Sequence, residues 1–193
     1  MPASAPHTGS SFVLGELAAG AEPEQVATST PAPFVHDWSR EELIALANDR
    51  GPARDSNEDG LAAFAKARCL DCHRFEKAGG AKGPDLTGAR RRFSAADLIE
   101  TIVNPSSTIS DQYADEVFEL ADDEFIIGRL LLDAEGAYVI EAVAPEEAVV
   151  ELMAEEVISR KPHSISRMPE DLLDVLTKEE VQSLFNLLLG PSD

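Results

Sequence analysis

The two cysteines of this 193-residue chain lie three positions apart in one pentapeptide, Cys69-Leu70-Asp71-Cys72-His73. This C-x-x-C-H pattern is typical of covalent haem attachment. Two thiols at that spacing can reach the two vinyl groups on one edge of a porphyrin and form thioethers, and the imidazole of His73 then falls under the iron. The motif predicts one covalently bound haem c, with His73 as an axial ligand.

A methionine is the predicted second axial ligand. A haem that transfers electrons wants a second axial ligand, and a Met sulfur opposite a His raises the reduction potential. Of the three methionines, Met1 is the first residue and Met153 ends an apolar run, 148–153, that is typical of a buried strand. Met168 remains. It lies in a polar loop, 164–169, where a side chain can point at a cofactor because it is not needed for the apolar face of a helix.

The residues alone leave two other interpretations open. A C-x-x-C pair also occurs in zinc and dithiol sites, but zinc takes four ligands, and the chain has no second pair and only scattered histidines. His163 is the rival of Met168 at the iron, and a bis-histidine site would lower the reduction potential. If the sixth ligand is absent or leaves readily, a haem peroxidase or a gas sensor is the alternative to an electron carrier.

The chain is strongly acidic, with 16 Lys and Arg against 36 Asp and Glu and a formal net charge of -20. This balance argues against nucleic-acid binding, which needs clustered cations to neutralise phosphates. It would steer a partner with a basic surface toward the chain, although the same acidity also serves solubility alone. Hydrophobic residues make up 44%, enough for a sizeable core, yet no run approaches the roughly 20 apolar residues that span a bilayer.

The first 37 residues are rich in Pro, Ala, Ser, Thr and Glu and lack a sustained period, which predicts a flexible N-terminal arm or linker. Within it, residues 11–20 form a weak apolar run without a basic region before it, so they do not make a signal peptide. Haem attachment to C-x-x-C-H is completed outside the cytoplasm. We therefore expect a periplasmic or otherwise extracytoplasmic protein, with its export signal elsewhere in a longer chain.

The helices expected from capping and periodicity surround the motif. Two capping boxes, Ser39 with Glu42 and Thr177 with Glu180, open helices that run to Asn48 and Leu189. Further helical segments are expected at 57–67, with Leu61, Phe64 and Ala65 on one face, at 94–104, and as a short piece at 169–176.

The middle of the chain changes to strand patterns. Five short β-branched or apolar runs separated by turn residues predict a small antiparallel meander, inserted at about 115–160. The five strands are expected at 117–120, 125–132, 137–143, 148–153 and 156–160. The glycine-rich segment 79–88 predicts an irregular loop that closes over something. The expected class is therefore mostly α with an inserted β meander, α+β overall.

These motifs also carry a family resemblance. The stretch from Cys69 to Phe75, followed by Gly83-Pro84-Asp85-Leu86-Thr87-Gly88, resembles class I cytochrome c. A longer set resembles the haem-binding domain of planctomycete and verrucomicrobial type: Arg92-Phe93-Ser94, 97–100, Asn104-Pro105-Ser106, 109–113 and 164–173 with Met168-Pro169. The resemblance implies one monohaem domain over 38–190, with cytochrome c-like helices around the haem and the β insertion between the two halves.

The resemblance also implies roles for individual residues. The carbonyl of Pro84 would accept the Nδ1 hydrogen of His73 and leave Nε2 for iron, and Leu86 would pack on the haem face. The last helix would cross the helix that ends at Cys69, with Gly60 allowing close approach. Leu187 stands near the crossing where the family commonly has an aromatic residue, so Phe185 is a candidate for that role.

The expected function is outer-sphere electron transfer. With both axial positions filled, iron offers no open position to a substrate, so the chain needs no enzyme chemistry of its own. Electrons would come from a dehydrogenase, fused or bound, and pass to another cytochrome or a terminal oxidase.

Overall fold

The computed structural model describes residues 32–49, 57–121, 123–143 and 148–190, and in this part of the chain the fold is α+β. Four helices and a five-stranded antiparallel sheet are present. A small hairpin of two strands, each two residues long, lies beside the cysteine motif. The helices are Arg40–Asn48 (α1), Asn57–Lys66 (α2), Ala95–Val103 (α3) and Lys178–Leu189 (α4). The strands are Arg74–Phe75 (β1), Ala78–Gly79 (β2), Glu116–Leu120 (β3), Phe125–Ala134 (β4), Ala137–Ala142 (β5), Val149–Met153 (β6) and Val157–Pro162 (β7).

The helix starts follow from local hydrogen bonds, as predicted. The Ser39 hydroxyl accepts from the Glu42 backbone N–H at 3.3 Å, and the Glu42 carboxylate accepts from the Ser39 N–H at 2.9 Å. Thr177 and Glu180 form the same reciprocal pair at the start of α4. Each pair satisfies two backbone donors that have no partner inside the helix.

The helical core forms where α2 packs against α4. The buried face of α2 consists of Gly60, Ala63 and Phe64, and Ala67 just beyond the helix continues it. The predicted face was wrong at Ala65, which is exposed. The observed face is made mainly of small residues, because α4 approaches so closely that a Cβ on Gly60 would lie 2.7 Å from Leu187 Cβ and 2.8 Å from the Ser183 carbonyl oxygen. Leu187 thus occupies the crossing, and Phe185 is buried in the core.

The segment 169–176 differs from the expected short helix. It consists of turns, with hydrogen bonds from the Asp174 N–H to the Asp171 carbonyl and from the Leu176 N–H to the Leu173 carbonyl. Asp171 has a φ of 59°, a left-handed conformation that a helix cannot include. Leu173 and Leu176 are buried, so the turns dock this segment onto the helical core.

Backbone contacts to this segment also order the chain before α1. The N–H groups of Val35 and His36 both donate to the Asp174 carbonyl, at 2.7 and 3.1 Å. The Trp38 indole donates to the Leu176 carbonyl at 3.2 Å. Of the predicted arm, residues 1–31 lie outside the described residues, and with them the apolar run at 11–20.

The five predicted strands are present, but their order differs from a simple meander. The sheet order is β6-β5-β4-β3-β7, so the last strand returns to pair with β3. Three residues connect β6 to β7. A flat sheet would hold its two edges about 19 Å apart at about 4.8 Å per strand, whereas the four residue steps from Met153 to Val157 span at most about 14 Å. The sheet is therefore strongly curled.

A second, small apolar cluster fills the inside of the curl. Phe118, Ile140 and Leu152 are its buried members. Strand β6 was expected to be buried, and this was wrong for its other face: Val149 is 67% exposed and Met153 45%. Alternate residues of a strand point to opposite faces, so an edge strand on a small curled sheet buries only one set.

Among the described residues no helix is long and apolar enough to cross a membrane.

The close approach at Gly60 generates a stability prediction. We expect Gly60→Ala to lower the free energy of unfolding by about 1–3 kcal/mol, because the added methyl overlaps the Ser183 carbonyl and Leu187 Cβ. Helix propensity alone predicts a gain of about 1 kcal/mol for the same change. Urea unfolding measures the difference. The control is Ala65→Gly at an exposed position of α2, which should cost about 1 kcal/mol; stabilisation by Gly60→Ala would contradict the proposed packing.

Candidate functional site

The cysteine motif lies directly after α2. Arg68 has a φ of 62°, which ends the helix, and Cys69–Asp71 form a single 3-10 turn. The N–H groups of Cys72 and His73 both donate to the Cys69 carbonyl, at 3.3 and 2.8 Å. Cys69 thus begins the turn and Cys72 caps its end. The motif therefore sits at a helix end, as predicted.

Both cysteines are reduced thiols, half-buried and not joined in a disulfide. Burial raises the pKa of the Cys69 thiol to about 12. Its Sγ lies 3.8 Å from the Ala67 carbonyl oxygen. At neutral pH Cys69 is therefore a protonated thiol in the haem-free chain. Among the described residues no three His, Cys, Asp or Glu side chains converge into a group that could hold a metal ion.

The imidazole of His73 is oriented by a backbone carbonyl. Nδ1 lies 2.9 Å from the Pro84 oxygen. A carbonyl only accepts, so Nδ1 carries the hydrogen and Nε2 is left as the ligand nitrogen. The contact that the resemblance implied for Pro84 is present in the structure.

The glycine-rich loop folds back along the motif. The N–H groups of Gly80, Gly83 and Leu86 donate to the carbonyls of Leu70, Cys72 and Arg74, each at 2.8 Å. Gly83 touches the His73 ring so closely that a Cβ there would lie 2.7 Å from Cε1 and 2.8 Å from Nδ1. The irregular loop predicted from the glycines is confirmed, and what it closes over is the histidine.

Apolar side chains border this group. Leu86, Phe75 and Phe93 are half-buried and pack against the helical core, as does Cys69. The Phe75 ring lies 6.2 Å from that of Phe64 on α2. Leu86 is thus placed beside the motif, which is compatible with the predicted contact to a haem face.

Met168 lies in the irregular segment between β7 and α4 and is half-buried. Its N–H donates to the Ser166 hydroxyl, and the Ser166 N–H donates to the Ser106 hydroxyl, both at 3.1 Å. His163, the rival ligand, has Nδ1 3.1 Å from the Ile165 carbonyl oxygen. The structure thus ties the Met168 segment to the turn that follows α3.

A network of charged residues that no motif predicted connects the Met168 segment with the glycine-rich loop. Arg167 donates to both oxygens of Asp115 at 2.6–2.9 Å and to the Glu141 carboxylate at 3.0 Å. Arg129 donates to the same Glu141 oxygen and to the Lys82 carbonyl, both at 2.8 Å. The available signal was a charged residue inside each of two apolar strands, Arg129 in β4 and Glu141 in β5.

Comparison with known proteins adds no family to this description. No protein-family model matches the chain, and a search of curated proteins finds no match. The likeness to class I cytochrome c therefore rests on the quoted motifs.

The contact between Gly83 and the imidazole generates a prediction. We expect Gly83→Ala to push the His73 ring away from the Pro84 carbonyl and to lower the free energy of unfolding by about 1–3 kcal/mol. Histidine side-chain NMR would report the loss of the Nδ1–H···O bond, and urea unfolding would report the stability. Gly88→Ala is the matched control, because a Cβ at Gly88 meets nothing within 4 Å. Equal effects of the two variants would contradict the tight contact.

The buried thiol generates a second prediction. With a pKa of about 12, Cys69 should be alkylated by iodoacetamide at pH 8 on the order of 10³ times more slowly in the folded, haem-free protein than in urea. The Cys72→Ser variant leaves Cys69 as the one reporter, and mass spectrometry follows the reaction. A rate that does not change on unfolding would show that Cys69 is not buried. Cys69→Ser is the matched control for the reactivity of Cys72.

Proposed function

We propose that the chain is a monohaem c-type cytochrome that carries electrons by outer-sphere transfer. Cys69 and Cys72 would hold the haem through thioethers, and His73 and Met168 would be its axial ligands. The observation that carries the proposal is the hydrogen bond from His73 Nδ1 to the Pro84 carbonyl, because it aims a ligand nitrogen from within a C-x-x-C-H motif.

The residues present fit a haem. The two thiols are reduced and share one turn, Nε2 of His73 is not the atom used in the bond to Pro84, and the neighbouring Leu86 is apolar. When bound, haem supplies an iron centre that cycles between ferric and ferrous states. The chain's own part is to hold the imidazole and the thioether sulfur in place and to keep the site apolar, and these features tune the potential.

Location and partners follow from the same proposal. A protein with covalent haem is expected outside the cytoplasm, in the periplasm or an equivalent compartment. The net charge of -20 would steer it toward a partner with a basic surface. A dehydrogenase is the proposed donor and another cytochrome or an oxidase the acceptor. In this proposal the four helices correspond to the cytochrome c-like part and the curled sheet to the insertion.

The test of attachment uses the full chain, exported in a host that matures c-type cytochromes. We expect the intact mass of the denatured protein to exceed the chain mass by one haem, and a pyridine haemochrome spectrum to show a haem with both vinyls saturated. Cys69→Ser with Cys72→Ser should abolish the added mass. Colourless protein, or pigment extracted by acid acetone, would refute the proposal.

The sixth ligand is tested in the same material. We expect the ferric protein to show the weak far-red band of thioether ligation, and Met168→Ala to remove it while the covalent haem stays. Met153→Ala is the matched control, because Met153 is exposed on strand β6. His163→Ala examines the rival ligand. High-spin iron that binds carbon monoxide as soon as it is reduced would instead favour a peroxidase or gas sensor.

A further inference from the structure

Four charged residues join the curled sheet to both loops of the candidate site. We name them the clamp: Asp115, Arg129, Glu141 and Arg167. Arg129 and Glu141 are directly opposite each other on β4 and β5, and Glu141 accepts from both arginines. The two cations alternate with the two carboxylates, so each charge has an opposite neighbour.

The clamp is shielded from water. The side chain of Asp115 is 2% exposed, and those of Arg129, Glu141 and Arg167 are 16–21% exposed. At such sites solvent screens charges weakly, and the planar guanidinium of Arg167 faces the Asp115 carboxylate with two nitrogens. The Nε of Arg129 is buried and, among the described residues, has no hydrogen-bond partner. Leaving a buried donor without a partner costs free energy. The bonds of Arg129 to Glu141 and to the Lys82 carbonyl hold the side chain in place despite that cost.

Each arginine of the clamp acts on one loop. Arg129 donates to the carbonyl of Lys82, and the next residue, Gly83, touches the His73 imidazole. Arg167 directly precedes Met168 and also donates to the Glu141 backbone carbonyl at 2.7 Å. The backbone reinforces the link, since the His163 N–H donates to the Asp115 carbonyl at 2.8 Å. One carboxylate, Glu141, is therefore common to the His73 loop and the Met168 segment.

We propose that the clamp is the device by which the sheet positions the two axial ligands. Its four members are positioning residues that act through Gly83 and through the backbone at Met168. This inference rests on the proposed function for its consequence at iron, but its structural part concerns the chain alone. A thioether is a neutral ligand, so its retention depends on how firmly its segment is held. The β insertion would thereby stabilise the sixth ligand.

The experiment compares Arg129→Met and Arg167→Met with Arg160→Met in the full chain. Arg160 is the matched control, because it is on the same sheet and also bridges two carboxylates, Glu116 and Asp133. Arg129→Lys keeps the charge but cannot hold Glu141 and the Lys82 carbonyl as a planar fork does, and it serves if a methionine variant fails to fold. Hydrogen exchange of segments 79–86 and 164–169 is the first readout, in haem-free and haem-loaded protein.

We expect the clamp variants to exchange at least tenfold faster in both segments, and the control to match the parent protein. In haem-loaded protein the same variants should bind imidazole at least tenfold faster and lose part of the far-red thioether band, with the covalent haem mass unchanged. Unchanged exchange and imidazole binding in the clamp variants would overturn the inference. Failure of haem attachment in the parent would overturn the proposed function instead, and the exchange data on haem-free protein would still decide whether the clamp holds the loops.

Discussion

The hydrogen bond between His73 Nδ1 and the Pro84 carbonyl is the constraint from which the local structure follows. It can form only if residues 79–86 run back along the motif within hydrogen-bonding distance of its backbone. Three backbone N–H···O hydrogen bonds hold the loop there. Gly79 makes the return possible, with a φ of 95° and so little space that a Cβ would overlap the His73 carbonyl oxygen. Gly83 then lies against the ring. The glycines of this loop thus serve the orientation of one imidazole.

The clamp is better understood as a device for position than for stability. A buried ion pair repays its desolvation only partly, and replacing it with apolar residues is often neutral or stabilising, whereas removing one partner costs about 3–5 kcal/mol. What the charges add is direction, because a guanidinium and a carboxylate meet in few geometries. The helical core and the core inside the sheet are separate clusters, and apolar burial is non-directional, so it does not by itself fix how the sheet and the loops are placed. The ion pairs and hydrogen bonds of the clamp fix the position of the loops relative to the sheet.

The sequence predicted what is decided locally. The caps at Ser39 and Thr177 need only residues within the first helical turn, and both are observed. The strand positions, within two residues at each end, followed from β-branched or apolar runs and the turn residues between them. The pairing of β7 with β3, the turns around Asp171 and the exposure of Ala65 depend on contacts between distant segments, so no window of the chain contains them. The clamp joins residues 115, 129, 141 and 167 through tertiary contacts, and only the isolated charges in β4 and β5 hinted at it.

The curl of the sheet leaves one of its faces available to the loops of the candidate site. Arg129 and Glu141 lie on the face of β4 and β5 opposite Leu130 and Ile140, which belong to the sheet's own core. Closing that core inward leaves Arg129 and Glu141 on the other face, where Arg129 bonds to the Lys82 carbonyl and Glu141 to Arg167. Directly opposed residues on neighbouring strands are held at a fixed spacing. A loop alone would hold Met168 through its N–H bond to the Ser166 hydroxyl and through the Ser166 N–H bond to the Ser106 hydroxyl. With the clamp, the Met168 segment is also bonded to the sheet through Arg167 and Glu141. The same sheet bonds through Arg129 to the loop that contacts His73.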